Sequence, residues 1–145
     1  MKLPTVDELA EQGLTYTKRR AIALYSPTRS SLLTGRNHYL NGMAAITDTA
    51  DRFPGASGRF PPKVTTIAEV LRANGYSTFW IGKIHNAPKQ DVASGASHTE
   101  RPLNLRFDRF CGFLGGKTNQ WYPDLVEDNH FIEQPYGPND GYRPS

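Results

Sequence analysis

The sequence predicts an α/β fold, and three observations support it. Residues Thr66 to Gly75 carry a capping box and a 3.6-residue apolar period, which predict a helix that Gly75 ends. An apolar run, Tyr76 to Ile81, follows at once and predicts a buried strand. A second helix is predicted from Pro27, with Gly35 ending it. Helix, tight turn and strand form the unit from which α/β sheets are built, and 145 residues suit about one domain.

The N-terminal quarter of the chain predicts one helix and two short strands. Val6 to Gln12 reads as a helix that stops at Gly13. Leu14 to Thr17 alternates in polarity, which predicts a strand. Ala21 to Leu24 is a short apolar run, and it predicts a second strand that delivers the chain to a turn at Tyr25.

Three polar segments predict irregular structure. Asp51 to Pro62 is rich in proline and glycine, and Asn86 to Pro102 is polar with Gly, Ser and Pro. Residues 134–145 hold three prolines and are predicted to form a disordered tail or an interrupted loop. No strand is predicted between residues 103 and 133, and Cys111, which lies among aromatic residues, is expected to be buried.

Charge and cysteine content restrict the function classes. The net charge of +3 favours anionic ligands. Lys18 to Arg20 is the one basic run, and the dense basic stripe with interleaved aromatics that typifies nucleic-acid binding is absent from the sequence. The single cysteine excludes an internal disulfide. No apolar signal core or membrane span is found in the sequence, which predicts a cytoplasmic chain without a membrane partner.

The stretch Tyr25 to Arg36 predicts an anion site. Pro27 lies just inside the helix start, and the hydroxyls of Ser26 and Thr28 crowd the first turn. The free N–H groups of a first turn and the positive end of the macrodipole attract anions. Arg29 adds a permanently charged clamp that suits a tetrahedral oxyanion. The alternative is an ordinary helix capped by Ser and Thr, with no ligand.

Gly82 to His85 is the second candidate constellation. It lies at the carboxyl end of the predicted strand, where open α/β sheets place ligands. Lys83 and His85 alternate along the strand, so both are expected to project to one face. A lysine there can neutralise an anion, and a histidine can transfer a proton. The alternative is a surface lysine and a capping histidine.

Both stretches resemble the signatures of type I sulfatases. The first matches Cys/Ser-x-Pro-x-Arg-x-x-x-x-Thr-Gly, and the matching residues are Pro27, Arg29, Thr34 and Gly35. In that family the first residue is oxidised to formylglycine, whose hydrated aldehyde attacks sulfur, but here that position is Tyr25. The second matches Gly-Lys-x-His, which sulfatases carry after their second core strand. The resemblance runs from about residue 4 to residue 142.

The resemblance implies a fold and a reaction. The fold is part of an alkaline-phosphatase-like sandwich with a mixed central sheet, and residues 1–145 are expected to be an N-terminal portion of one sulfatase domain, truncated at both ends. The reaction is sulfuric ester hydrolysis, as in arylsulfatases. The implied catalytic residues are Arg29, Lys83 and His85, and the implied contacts to the ester are Lys83, Ser26 and Thr28.

The resemblance also implies calcium, which the family holds through aspartates that this sequence lacks. A phenol has a pKa near 10 and cannot become an aldehyde hydrate, so Tyr25 predicts impaired or absent turnover. The alternatives are an anion- or partner-binding module without catalysis, able to self-associate through open sheet edges, and a phosphonate or phosphate monoester hydrolase, since such relatives share the signature. For a full-length relative, a periplasmic or secreted location is an alternative to the cytoplasm.

The glycine-rich stretch from Cys111 to Thr118 invites a nucleotide-binding interpretation, which its spacing disfavours. A phosphate loop needs a glycine where Cys111 stands. The segment through Trp121 instead resembles a stretch that lines part of the substrate cleft in bacterial arylsulfatases.

Overall fold

A computed structural model describes residues 2–18, 21–51 and 53–134. The helices are α1 (Pro4–Gln12), α2 (Tyr25–Thr34) and α3 (Ile67–Ala73), and three single 3-10 turns cover His38–Asn41, Thr47–Thr49 and Lys89–Asp91. The strands are β1 (Phe79–Lys83), β2 (Arg109–Phe113), β3 (Val126–Glu127) and β4 (His130–Phe131). The predicted disordered tail lies outside the described residues, apart from residue 134.

The four strands form one mixed, open sheet in the order β1-β2-β3-β4. β1 and β2 are parallel, and the two later pairs are antiparallel. In the parallel pair Gly82 lies opposite Gly112, where a Cβ on Gly112 would meet the Gly82 carbonyl oxygen at 2.0 Å. The predicted α/β class is therefore confirmed, and the chain carries helices and a mixed sheet together.

Helix α2 begins two residues earlier than the sequence predicts. Its first residue is Tyr25, and Pro27 occupies the third helical position. Proline is tolerated there because the first N–H groups of a helix have no partner inside the helix. The predicted end is confirmed, since Gly35 adopts φ 66° and its N–H donates to the Ser31 carbonyl at 2.8 Å.

Helix α3 has the Thr66 half of the predicted capping box, without the return bond to the Glu69 side chain among the described residues, and the strand after it begins three residues later than predicted. The Thr66 hydroxyl accepts the Glu69 N–H at 3.4 Å and donates to the Leu105 carbonyl at 2.7 Å. The prediction that this strand is buried is wrong. Phe79 and Ile81 are 62% and 83% exposed, because β1 has β2 as its one neighbour among the described strands and its outward face packs on nothing there.

The two strands predicted before α2 are also wrong. Residues 14–17 and 21–24 are irregular, although α1 has the predicted end beside Gly13. Alternating polarity specifies two faces but not a partner, and neither segment pairs with another strand in the described ranges. A strand exists only through its ladder, which local sequence does not supply.

Two apolar clusters hold the helices and the sheet together. The first contains Leu33, Ala68, Leu105 and Phe107, and the second contains Ile84, Phe110, Leu114 and Val126. Trp80 on β1 packs against both clusters and meets Phe107 edge-on at 5.0 Å between centroids. The carboxyl end of β1 is thereby seated close to α2.

Strand β2 was not predicted, and its side chains explain why. Arg109 and Cys111 are exposed while Phe110 and Gly112 are buried, so the strand has one apolar face only. The expectation that Cys111 is buried is therefore wrong. None of the helices in the described ranges is long and apolar enough to cross a lipid bilayer.

Candidate functional site

The two candidate motifs, far apart in sequence, meet where the carboxyl end of β1 faces the start of α2. The Lys83 ammonium lies 4.1 Å from the centroid of the Tyr25 ring. The ring of His85 lies 6.1 Å from the ring of Tyr25, centroid to centroid. The structure thus brings Tyr25, Lys83 and His85 to one place.

Lys83 is a cation without a paired carboxylate. Its ammonium donates a hydrogen bond to the Gly116 carbonyl, and no ion pair of Lys83 or Arg29 is found among the described residues. Partial burial and the nearby Arg29 guanidinium lower the pKa of Lys83, against a smaller opposing effect of the Asp48 carboxylate. An anion bound here would relieve the repulsion between the two cations.

His85 is almost completely buried, at 4% exposure, and its backbone is held at φ 52°. The parallel ladder continues past β1, with the His85 N–H donating to the Leu114 carbonyl at 3.0 Å. The ring nitrogen Nε2 lies 2.8 Å from Oδ2 of Asp48, while Nδ1 is buried with no hydrogen-bond partner among the described residues. The imidazole is therefore fixed in position through one nitrogen.

Asp48 lines a cleft beside His85 and was not predicted from the sequence. It lies in the 3-10 turn Thr47–Thr49 and is 37 residues from its partner His85. A lone aspartate in a polar turn has no local pattern that distinguishes it from a surface residue. Only the fold shows that its carboxylate reaches the imidazole.

Position 116 requires a glycine because the His85 ring lies close to its backbone. A Cβ at this position would lie 2.6 Å from Nε2 of His85, which is closer than real Cβ atoms come to other atoms. The same residue accepts the hydrogen bond of Lys83 through its carbonyl. Lys83 and His85 therefore both lie next to Gly116, and their projection to one face stays a prediction.

Ser26 and Thr28 make their hydrogen bonds to the protein itself. The Ser26 hydroxyl is buried and accepts the Thr47 N–H at 3.3 Å, and the Ser26 carbonyl accepts the Asn86 amide at 3.0 Å. The Thr28 hydroxyl donates to the Ile22 carbonyl at 2.6 Å. These bonds connect α2 to the Asp48 turn and to the end of β1, and contact of either hydroxyl with a substrate stays a prediction.

A cleft of about 710 Å³ opens beside Tyr25. Its lining residues are Tyr25, Ile46, Asp48, His85, Lys89, Val92, Ala93, Gly115, Gly116 and Lys117. Tyr25 is 63% exposed. It also borders a smaller groove of about 300 Å³ that contains Thr28 and Arg29. Tyr25 therefore borders both the cleft that His85 lines and the groove that contains Arg29.

The segment 86–102 forms one wall of the cleft and is irregular, as predicted, apart from one 3-10 turn. Its buried charged residues were not predicted from the sequence. Arg101 is 1% exposed and donates to the carbonyls of Ala93 at 3.1 Å and Asn129 at 2.9 Å. Glu100 is 2% exposed and accepts the Phe60 N–H at 3.2 Å. Arg101 thereby ties the wall residue Ala93 to the turn between β3 and β4.

Comparison with known proteins adds the family. The family model described as Sulfatase matches residues 1–139. The chain belongs to the sulfatase family. Human arylsulfatase D is 38% identical over 125 residues, which cover 85% of this chain and 21% of that protein. The arylsulfatase of Klebsiella aerogenes is 31% identical over 120 residues, covering 81% of this chain and 24% of that protein. The chain thus spans about a fifth to a quarter of the length of these relatives.

Solved structures of sulfatases have the same fold. One, from work on glycosaminoglycan metabolism by Bacteroides thetaiotaomicron, is 27% identical with a TM-score of 0.62, over 94% of this chain and 27% of that chain. Another, Ps i-CgsB in complex with a neocarrahexaose, has a TM-score of 0.56 at 21% identity, over 76% and 27% of the two chains. The alkaline-phosphatase-like fold predicted from the resemblance is confirmed.

Sulfatases generally use calcium, and the residues described here do not fit that ion. Calcium takes six to eight oxygen ligands, several of them carboxylates. No group of three His, Cys, Asp or Glu side chains that could hold a metal occurs in residues 2–18, 21–51 and 53–134. At the site itself the one nearby carboxylate, Asp48, is bonded to His85 and faces the cation Lys83.

Proposed function

We propose that this sulfatase-family chain binds a tetrahedral oxyanion, with sulfate esters as the ligand class, at the junction of α2 and β1, and that it does not hydrolyse them. The observation that carries the proposal is the Lys83 ammonium at 4.1 Å from the Tyr25 ring, beside an Arg29 whose charge lowers the Lys83 pKa. Two cations that form no ion pair within the described part of the chain, next to a cleft, favour an anionic ligand.

Each residue has a role in this proposal. Arg29 and Lys83 neutralise the charge of the oxyanion, Arg29 through two parallel hydrogen bonds. His85 holds or transfers a proton at an ester oxygen. Ser26 and Thr28 place the first turn of α2, whose positive end faces the anion. In an active relative the same groups would act on a sulfuric ester as in an arylsulfatase.

Tyr25 is the reason for proposing that turnover is impaired. Sulfatases attack sulfur with the hydrated aldehyde of formylglycine, and a phenol side chain cannot form one. Tyr25 also lines both the cleft that contains His85 and the groove that contains Arg29, so its large side chain takes up room at the proposed site. The calcium of the family would neutralise charge in a complete enzyme, but the described residues do not supply its ligands, so no step is assigned to it here.

The first test is an assay of the purified chain with nitrophenyl sulfate, and in parallel with nitrophenyl phosphate and nitrophenyl phenylphosphonate. We expect no release of nitrophenol above the blank from any of them. Sulfate-ester turnover that disappears in Arg29→Ala would contradict the proposed lack of catalysis. Turnover of the phosphorus esters alone would identify the chain as a phosphate or phosphonate monoester hydrolase.

The second test is sulfate binding measured by thermal denaturation at constant ionic strength. A ligand at about 100 times its dissociation constant stabilises a protein by about 2.7 kcal/mol, so sulfate should raise the melting temperature. Arg29→Ala should abolish the shift. Arg36→Ala is the matched control, since Arg36 is exposed at the far end of the same motif and should leave the shift intact. An equal shift in both variants would show that sulfate acts elsewhere.

A further inference from the structure

Asp48 places a negative charge where the proposed ligand would bring one. Its Oδ2 lies 2.8 Å from Nε2 of His85, inside the cleft that both residues line. Its charge also acts on Lys83, because the Asp48 carboxylate raises the pKa that burial and Arg29 lower. The Asp48 carboxylate thus already contacts His85 and attracts Lys83, and both of these residues are proposed to bind the oxyanion.

The contacts of Asp48 are few compared with those of a structural aspartate. Its side chain is 45% exposed, and His85 is the polar partner found for it among the described residues. Asp128, by contrast, accepts the Phe110 N–H at 2.9 Å and the Arg109 guanidinium at 3.2 Å. The Asp48 carboxylate can therefore rotate into solvent at the loss of one hydrogen bond.

The groups around Asp48 are far less free to move. His85 is buried, its N–H is bonded to the Leu114 carbonyl, and its ring lies against Gly116. The backbone of the Asp48 turn is anchored through Thr47, which is 1% exposed and bonded to the Ser26 hydroxyl. If the hydrogen bond between Asp48 and His85 breaks, the Asp48 side chain therefore rotates away and the imidazole stays in place.

We propose that Asp48 is an internal competitor for the oxyanion: its carboxylate occupies Nε2 of His85 in the free protein and is displaced when an anion binds. This inference rests on the proposed function, because it needs an anion at the same site. Sulfate carries no proton near neutral pH, so it cannot donate a hydrogen bond to a carboxylate, and the two anions repel each other. One of them has to leave His85.

A positioning role for Asp48 gives the opposite expectation. If the carboxylate served to orient the imidazole for the ligand, its removal would weaken binding, whereas removal of a competitor strengthens binding. Asparagine has nearly the same size as aspartate and can still hydrogen-bond Nε2, so Asp48→Asn removes the charge and leaves the ring supported. The direction of the change in affinity therefore separates the two roles.

The experiment is a titration with sodium sulfate at pH 7.5, with sodium chloride added to keep the ionic strength constant. Asp48→Asn should bind sulfate about tenfold more tightly than the unmodified chain, a difference of roughly 1.4 kcal/mol. Asp7→Asn, the same charge change on the exposed helix α1, should alter the affinity less than about twofold because salt screens exposed charges. Equal or weaker binding by Asp48→Asn overturns the inference.

A second measurement does not depend on the folding of a variant. In the unmodified chain the carboxyl 13C resonance of Asp48 should move when sulfate saturates the site, and an unchanged resonance with bound sulfate overturns the inference. If neither the unmodified chain nor a cooperatively melting Asp48→Asn binds sulfate, the proposed function fails together with the inference. Binding by Asp48→Asn alone supports the competitor and shows that it blocks the site completely.

Discussion

Replacing Glu100 by glutamine is expected to stabilise the protein by about 3 kcal/mol at pH 8 and by much less near pH 4. Glu100 is 2% exposed, and burial raises the pKa of its carboxyl to about 7 from an ordinary value of 4.5. The negative charge of Asp91 adds to this increase, while the Phe60 N–H and the Arg59 guanidinium oppose it. The folded protein therefore resists ionisation of this group.

The sign of the pH dependence follows from proton counts. Below about pH 4.5 Glu100 is protonated in both the folded and the unfolded chain, so its burial carries no ionic penalty. Between about pH 4.5 and pH 7 the unfolded chain releases the proton and the folded chain keeps it, so stability falls as the pH rises. Above pH 7 the penalty stays constant. Glutamine removes it and keeps an oxygen that can accept the Phe60 N–H.

The measurement is the free energy of unfolding by urea at several pH values from 4 to 8, taken as the difference between Glu100→Gln and the unmodified chain. The difference should grow with pH and correspond to a rise in melting temperature of roughly 6 to 12 °C at pH 8. Glu11→Gln, the same change on the exposed helix α1, should give a flat and small difference. A Glu100→Gln difference that does not vary with pH would contradict the raised pKa.

Gly116→Ala is expected to lower sulfate affinity at least tenfold while the fold survives. The new methyl carbon would lie 2.6 Å from Nε2 and 2.7 Å from Cε1 of His85, so the ring or the backbone has to move. Forcing a methyl group into a packed site costs typically about 1 to 3 kcal/mol. Since the Gly116 carbonyl also accepts the Lys83 hydrogen bond, the same shift displaces both groups assigned to the anion.

Gly115→Ala is the matched control. A Cβ at this neighbouring residue would lie 3.5 Å from the Lys117 carbonyl oxygen and 3.9 Å from Val92, which are ordinary contacts. The two variants therefore add the same methyl group one residue apart, and only the Gly116 variant collides with His85. Sulfate affinity and the imidazole resonances of His85 should change in Gly116→Ala and stay in place in Gly115→Ala. Equal effects of the two changes would mean that the loop, and not the contact with His85, determines affinity.

Local sequence predicted the elements that are stabilised locally. The Thr66 cap, the glycine ends of α2 and α3 and the irregular segment 86–102 need only residues close to them in the chain. The strands before α2 were wrongly predicted, and β2 was missed, because pairing with a distant segment decides whether an extended stretch becomes a strand. The prediction that Ile81 is buried failed for the same reason, because the apolar character of a residue does not reveal whether another segment packs on it.

The candidate site divides in a similar way. The spacing of residues in α2 and at the end of β1 was sufficient to select Arg29, Lys83 and His85 and to indicate an anion, since each motif spans at most a dozen consecutive residues. The approach of Lys83 and His85 to Tyr25 and the burial of Glu100 and Arg101 depend on the packing of segments far apart in the chain.

The sequence by itself therefore determined the family and the residues at which the predicted helices end, and it selected the cationic residues proposed for the site, because short patterns of residue type and spacing carry this information. Only the tertiary structure decided that Oδ2 of Asp48 lies 2.8 Å from Nε2 of His85 and that Gly116, which has no Cβ, leaves room for the imidazole. Both are contacts across more than thirty residues of chain, and charge repulsion and steric exclusion act over distance in space and not over distance in sequence.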